Sequence, residues 1–168
     1  GAVFAHKAQC KGASANWIVK KVGEDIADCG YAGSKICIRS DQEPAIKEVV
    51  SKVMENRTGA TVPEFSAVGD SQGNGAIENT CRRVQGMVRT LKCTIESKTQ
   101  IEVTSKHAIF GWMIEWSAQL LTRFSVRPNG KSPYHAIKGR ESHRPIAGFG
   151  ETEFCKPNKT SSHPRAKI

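Results

Sequence analysis

Between Asn16 and Cys29 the apolar residues Trp17, Ile18, Val22, Ile26 and Cys29 fall at three- and four-residue steps. That is the spacing of one helix face, and Gly30 stands where a C-terminal cap belongs. Upstream, Val3-Phe4-Ala5 begins a short β-prone run to Cys10, and Lys11-Gly12-Ala13-Ser14 supplies a turn into the helix. Lys35 to Asp41 is short, β-branched and closed by a polar tip, so it predicts a strand that presents Asp41 at its end. Pro44 follows at a position suited to a helix's first turn. Ala45 to Asn56, with Ile46, Val49, Val50, Val53 and Met54, predicts a second amphipathic helix.

Thr61 to Val68 reads as a short strand placed at an edge or in a loop by Pro63. Gly69-Asp70-Ser71-Gln72-Gly73-Asn74-Gly75 is rich enough in glycine and polar residues to predict a mobile loop. A long helix is expected from about Ala76 to Lys98 and another from about Lys106 to Ser125, followed by a tail rich in Pro, Gly, Lys and His. Alternating strands and helices favour an α/β sandwich. Two or three strands are few for four helices, which points to strands missing at the N-terminal side. The length of 168 residues suits one domain. Residues 1–140 form its expected extent, with 141–168 as a basic tail or the start of a following domain.

Charge changes the picture. Residues 1–80 hold 9 Lys and Arg against 10 Asp and Glu, while residues 81–168 hold 16 against 6, so the net charge of +9 comes from the second half. That asymmetry favours a polyanionic partner or, more plainly, a solvated basic surface. No run approaches the roughly 18 apolar residues of a membrane helix, and the N-terminus lacks a basic region followed by an apolar stretch. A soluble, non-secreted protein of the nucleus or a cytoplasmic particle is the expectation, with no membrane partner. Cys10, Cys29, Cys37, Cys81, Cys93 and Cys155 form no C-x-x-C pair, and their apolar settings favour reduced core thiols over disulfides or zinc ligands. A metal role for His6 with Cys10 is weak, because the surrounding run reads as a strand.

Two carboxylates stand out by position: Asp41 at a strand tip and Glu78 at the start of the long helix. Oxygen donors brought together at a sheet edge suit Mg²⁺ or Mn²⁺, and each residue also fits a simpler role as turn or helix-terminus acid. From Glu78, steps of four, seven, eleven and fourteen residues reach Arg82, Gln85, Arg89 and Lys92, all on one helix face. Ile77, Cys81, Val84, Val88, Leu91 and Ile95 form a separate apolar stripe that predicts the docked side. A basic row leading from a carboxylate could hold a phosphate backbone, or simply face water.

Ser40-Asp41-Gln42-Glu43-Pro44-Ala45-Ile46 and Gly69-Asp70-Ser71-Gln72-Gly73-Asn74-Gly75-Ala76-Ile77-Glu78-Asn79 together resemble the integrase catalytic core of copia-type long-terminal-repeat retrotransposons, within the retroviral integrase superfamily. Leu120-Leu121-Thr122-Arg123 and Lys131 to Arg140 resemble that group's closing helix and proline-tyrosine segment. The likeness spans residues 3 to about 155. It implies an α/β ribonuclease-H-like fold, here incomplete at the N-terminus with its first strands missing, and with long C-terminal helices. It also implies two divalent ions, Mg²⁺ or Mn²⁺ in the complete domain, held by two aspartates and a glutamate for phosphoryl transfer. By position Asp41 and Glu78 would be catalytic metal ligands. Arg82, Gln85, Arg89 and Lys92 would bind the element's DNA end, and Gln72 and Asn74 would lie in the active-site loop.

The sequence departs from the family pattern in four ways. No Asp or Glu precedes Glu24, so the first catalytic aspartate is not matched, and Asp25 and Asp28 on a helix are poor substitutes. Gln42 follows the second aspartate where the family often has Asn. The interval between Asp41 and Glu78, 36 residues, is one longer than usual. The N-terminal zinc module is not matched. The expectation is a fragment of a retroelement polyprotein, inactive or nearly so on its own, whose parent joins element ends to target DNA and is a homo-oligomer. The alternative is a catalytically dead or domesticated nucleic-acid-binding module. A third reading is another ribonuclease-H-like nuclease, acting on RNA:DNA hybrids.

Overall fold

The structure is a computed structural model, and it describes residues 1–13, 16–66, 71–143 and 146–151, with residues 71–74 as backbone only. The elements run α1 (Asn16–Asp28), β1 (Ile36–Ser40), α2 (Pro44–Asn56), β2 (Thr61–Phe65), α3 (Ser71–Thr99), α4 (Ile109–Phe124) and α5 (Pro133–Lys138). It is a mixed α/β chain, dominated by helix.

The first half is a βαβ unit with α1 added. β1 and β2 pair in parallel, Ile36 opposite Thr61 through Ser40 opposite Phe65. Parallel neighbours need a crossover, and α2 provides it. Along β1, Ile36, Ile38 and Ser40 are half-buried while Cys37 and Arg39 face out. Val19 of α1, Val53 of α2 and Ala13 form the core here, with Ile18, Val22, Ile26, Ile38 and Val49 packed around them. α1 ends as its sequence predicts. Gly30 adopts φ +86°, its N–H donates to the Ala27 carbonyl, and the Tyr31 N–H donates to the Ile26 carbonyl, which is the Schellman arrangement.

The second half is a helical hairpin. α3 packs on α4, and α4 on α5. Val88, Val103 and Met113 are its buried centre, lined by Val84, Leu91, Ile95, Ile109, Phe110, Ile114 and Phe149. Ser117 is fully buried on α4, and its hydroxyl donates to the Met113 carbonyl at 2.7 Å. α5 is capped by Ser132, whose side chain accepts the His135 N–H, and closed by Gly139 in the left-handed region.

Four expectations are corrected. The run from Val3 to Cys10 is not a strand: no strand lies beside it among the described residues, and Val3 bonds through its N–H and carbonyl to the Thr122 hydroxyl of α4. Residues 71–75 of the expected mobile loop are the first turns of α3; Gly69 and Asp70 lie outside the described residues. Extending an existing helix through Gly73 and Gly75 costs about 1 kcal/mol each, far less than nucleating a new one. α4 starts three residues late because 104–107 form a turn closed by the His107 N–H on the Thr104 carbonyl. The cysteines are not core residues: Cys10, Cys37, Cys81 and Cys93 are exposed and Cys29 half-buried, none in a disulfide, while Cys155 lies outside the described residues. Among the described residues no helix is long and apolar enough to cross a membrane.

Candidate nucleic-acid interface

α3 has 29 residues and α4 has 16. At 1.5 Å per residue these are about 43 and 24 Å long, so α3 outruns its partner. The two run antiparallel: Glu96 accepts the Val103 N–H at the foot of the hairpin, and Arg83 donates to the Ser125 hydroxyl at the other end of α4. The turns of α3 before Arg83 therefore project past α4. This explains why Ile77, placed by the sequence on the docked stripe, is 60% exposed and why Cys81 is exposed too. From Val84 to Ile95 the stripe docks as expected.

The polar stripe divides in the same way. Arg82, Gln85 and Arg89 are exposed, on the face turned away from Val84 and Val88. Lys92 is different: it is half-buried and its ammonium sits 3.0 Å from Glu96 Oε1. That hydrogen bond raises the Lys92 pKa, and the Val103 N–H, followed by Lys92, lowers that of Glu96. Lys92 thus also serves the hairpin, through its pair with Glu96. The hydroxyls of Thr80, Thr90 and Thr94 donate to carbonyls four residues back along the helix.

Asp41 follows the last residue of β1 and is exposed. Its Oδ1 accepts the Glu43 N–H at 2.9 Å, a turn that leads into α2. Gln42 fixes the same corner by donating to the Ser66 carbonyl. Lys11 stands nearby on Glu43 at 2.9 Å, and its pKa is raised by that bond and, to a smaller extent, by Asp41. Glu78 is exposed on the projecting part of α3. The side chains of Gln72 and Asn74 lie outside the described residues.

Asp41 and Glu78 offer the oxygen donors that a hard divalent cation takes. Among the described residues, however, no three His, Cys, Asp or Glu side chains gather as a ligand set. The two carboxylates stand on different elements, Asp41 at the corner after β1 and Glu78 on α3. The sequence reading missed Arg83 and the contacts of His6. His6 Nε2 lies 2.8 Å from Asp25 and its Nδ1 3.3 Å from Glu115, a grouping across 109 residues that no local pattern signals. Asp25, dismissed as a substitute metal ligand, is engaged there. The chain matches no protein-family model and no curated protein.

Proposed function

We propose that the chain is part of a retroelement integrase core with a ribonuclease-H-like fold, and that α3 is its DNA-binding element. The observation that carries this reading is the exposed row Arg82, Gln85 and Arg89 on the face of α3 turned away from its docked stripe. Guanidinium groups at helical spacing can meet successive backbone phosphates, displacing counterions and giving binding a steep salt dependence. The basic second half supplies a longer-range field that attracts the same partner. In the complete domain Asp41 and Glu78 are the proposed ligands for Mg²⁺ or Mn²⁺, with Gln72 and Asn74 near them. The parent's reaction is joining of element ends to target DNA, in a homo-oligomer.

The test is a salt titration of duplex binding. Substituting Arg82→Ala with Arg89→Ala should weaken binding to every sequence alike and flatten the log K against log salt slope by about 2, since each lost phosphate contact contributes about 0.9. Unchanged binding would remove α3 from the interface. A strand-transfer assay with either metal separates catalysis from binding: residues 1–168 should bind DNA yet transfer strands weakly or not at all. Robust transfer that survives Glu78→Gln would overturn the role of Glu78.

A further inference from the structure

Residues 1–8 lie as a strap along α4, running opposite to it. Arg127 donates to the Gly1 carbonyl, Val3 pairs with Thr122, and the Lys7 ammonium donates to the Ser105 carbonyl and sits 5.9 Å from the Phe110 ring centre. Gly111 lies beneath this course: a Cβ there would meet the Lys7 side chain at 3.8 Å, an ordinary contact. All of these bonds tie the strap to the hairpin side. His6 also reaches α1, through Asp25, with the Trp17 ring edge-on at 6.1 Å.

Both ring nitrogens of His6 meet carboxylate oxygens, Nε2 that of Asp25 and Nδ1 that of Glu115. A neutral imidazole has one N–H and one lone pair, so it can donate to only one of them; the imidazolium donates to both. The cation also stands between two carboxylates that belong to different units and would otherwise repel across the junction. Other charged groups around the ring are Lys21 and Glu24 of α1, Lys7 beside it on the strap, and Arg123 of α4 on the same cavity. Asp28 and Lys138 lie further along the same cavity, of about 400 Å³. Lys138 donates to the Asp28 carbonyl, a second tie between the halves that does not involve the imidazole.

We propose that His6 is a proton-operated latch, closing the junction between α1 and α4 as an imidazolium and releasing its α4 leg when it loses a proton. The Glu115 leg opens first because it is longer, 3.3 against 2.8 Å, and because Glu115 is 43% exposed against 18% for Asp25. Histidine is the side chain whose charge ordinarily changes between about pH 5 and 8, which sets the range to search. At the acid end, burial raises the Asp25 pKa, the His6 bond opposing it, so protonation of Asp25 limits the latch from below. The inference goes beyond the DNA-binding reading and does not depend on it.

NMR of the whole chain tests it without DNA. Ring nitrogen shifts should show a doubly protonated His6 near pH 5.5, with cross-relaxation contacts from the ring to both Asp25 and Glu115. By pH 8 the Glu115 contact should be lost while the Asp25 contact remains. Glu115→Gln should keep its contact at both pH values, because an amide can accept from the imidazolium and donate to the neutral ring. A neutral ring at pH 5.5 with both contacts present overturns the latch, as does a Glu115 contact that persists in the native protein at pH 8. Loss of the contact at pH 8 in Glu115→Gln as well would show that His6 charge is not what holds the junction. Should that variant fail to fold, the titration of the native chain decides alone.

Discussion

Gly59 is buried where the chain turns from α2 toward β2. A Cβ added there would lie 2.6 Å from the Ser34 carbonyl oxygen and 2.8 Å from the Gly33 carbonyl carbon, and backbone cannot swing aside as a side chain can. Beside it, Arg57 donates to the Tyr31 and Ser34 carbonyls and to the Thr61 hydroxyl, so one guanidinium holds the 31–34 loop against the start of β2. Gly59→Ala should therefore cost about 1–3 kcal/mol, the range for forcing atoms into a filled site. The readout is a fall in urea midpoint with the slope unchanged; an unshifted midpoint would mean that the two segments do not touch. Neither residue announces this role in the sequence, because the loop partners of each, at 31–34, lie more than twenty positions away.

At the scale of elements, the hairpin is closed by Glu96, which accepts the Val103 N–H at 2.7 Å and meets Lys92 at 3.0 Å. The backbone N–H first and Lys92 second hold its carboxyl below the ordinary value of 4.5. A folded-state pKa below the unfolded one means stabilisation that is present above about pH 4.5 and lost as pH falls through the depressed value. Stability measured at pH 6 and 3.5 should thus fall less in Glu96→Gln than in the native chain, because an amide oxygen accepts the Val103 N–H at either pH. Equal acid losses in the two proteins would place the acid sensitivity elsewhere.

These elements differ in how plainly the sequence shows them. α1 and α2 follow from apolar spacing, and Gly30 marks the end of α1 through chemistry local to the chain. The signals for α5 are equally local, Ser132-Pro133 before it and Gly139 after it, yet they sit inside a stretch whose composition reads as tail. The first turns of α3 were hidden because glycine content says how costly a helix is, and not whether a neighbouring helix will extend through it. The strap was misread because a β-prone run becomes a strand only beside a partner. For the candidate site, periodicity alone located the exposed row of Arg82, Gln85 and Arg89. It could not show that Lys92, on the same face, also pairs with Glu96, since that contact depends on the approach of Val103.

Among the described residues two small buried clusters have no member in common: Ala13, Val19 and Val53 in the βαβ unit, Val88, Val103 and Met113 in the hairpin. Between them run the strap, whose Val3 and Ala5 share a cavity with Ala118, the His6 bonds and the Lys138 bond to Asp28. Cores without common contacts should respond to truncation independently, since coupling needs shared partners or a shared cavity. Val53→Ala, at a site 1% exposed, should cost about 1–3 kcal/mol. Met113→Ala, at a fully buried site, should cost about 2–5 kcal/mol. The double variant should lose the sum to within about 0.5 kcal/mol, measured by denaturant unfolding. A larger coupling would mean that the halves share one core, and the junction at His6 would then be a surface contact on a rigid body. Additivity leaves the polar junction as the connection that sets how the corner bearing Asp41 stands relative to the helix bearing Glu78 and the arginines.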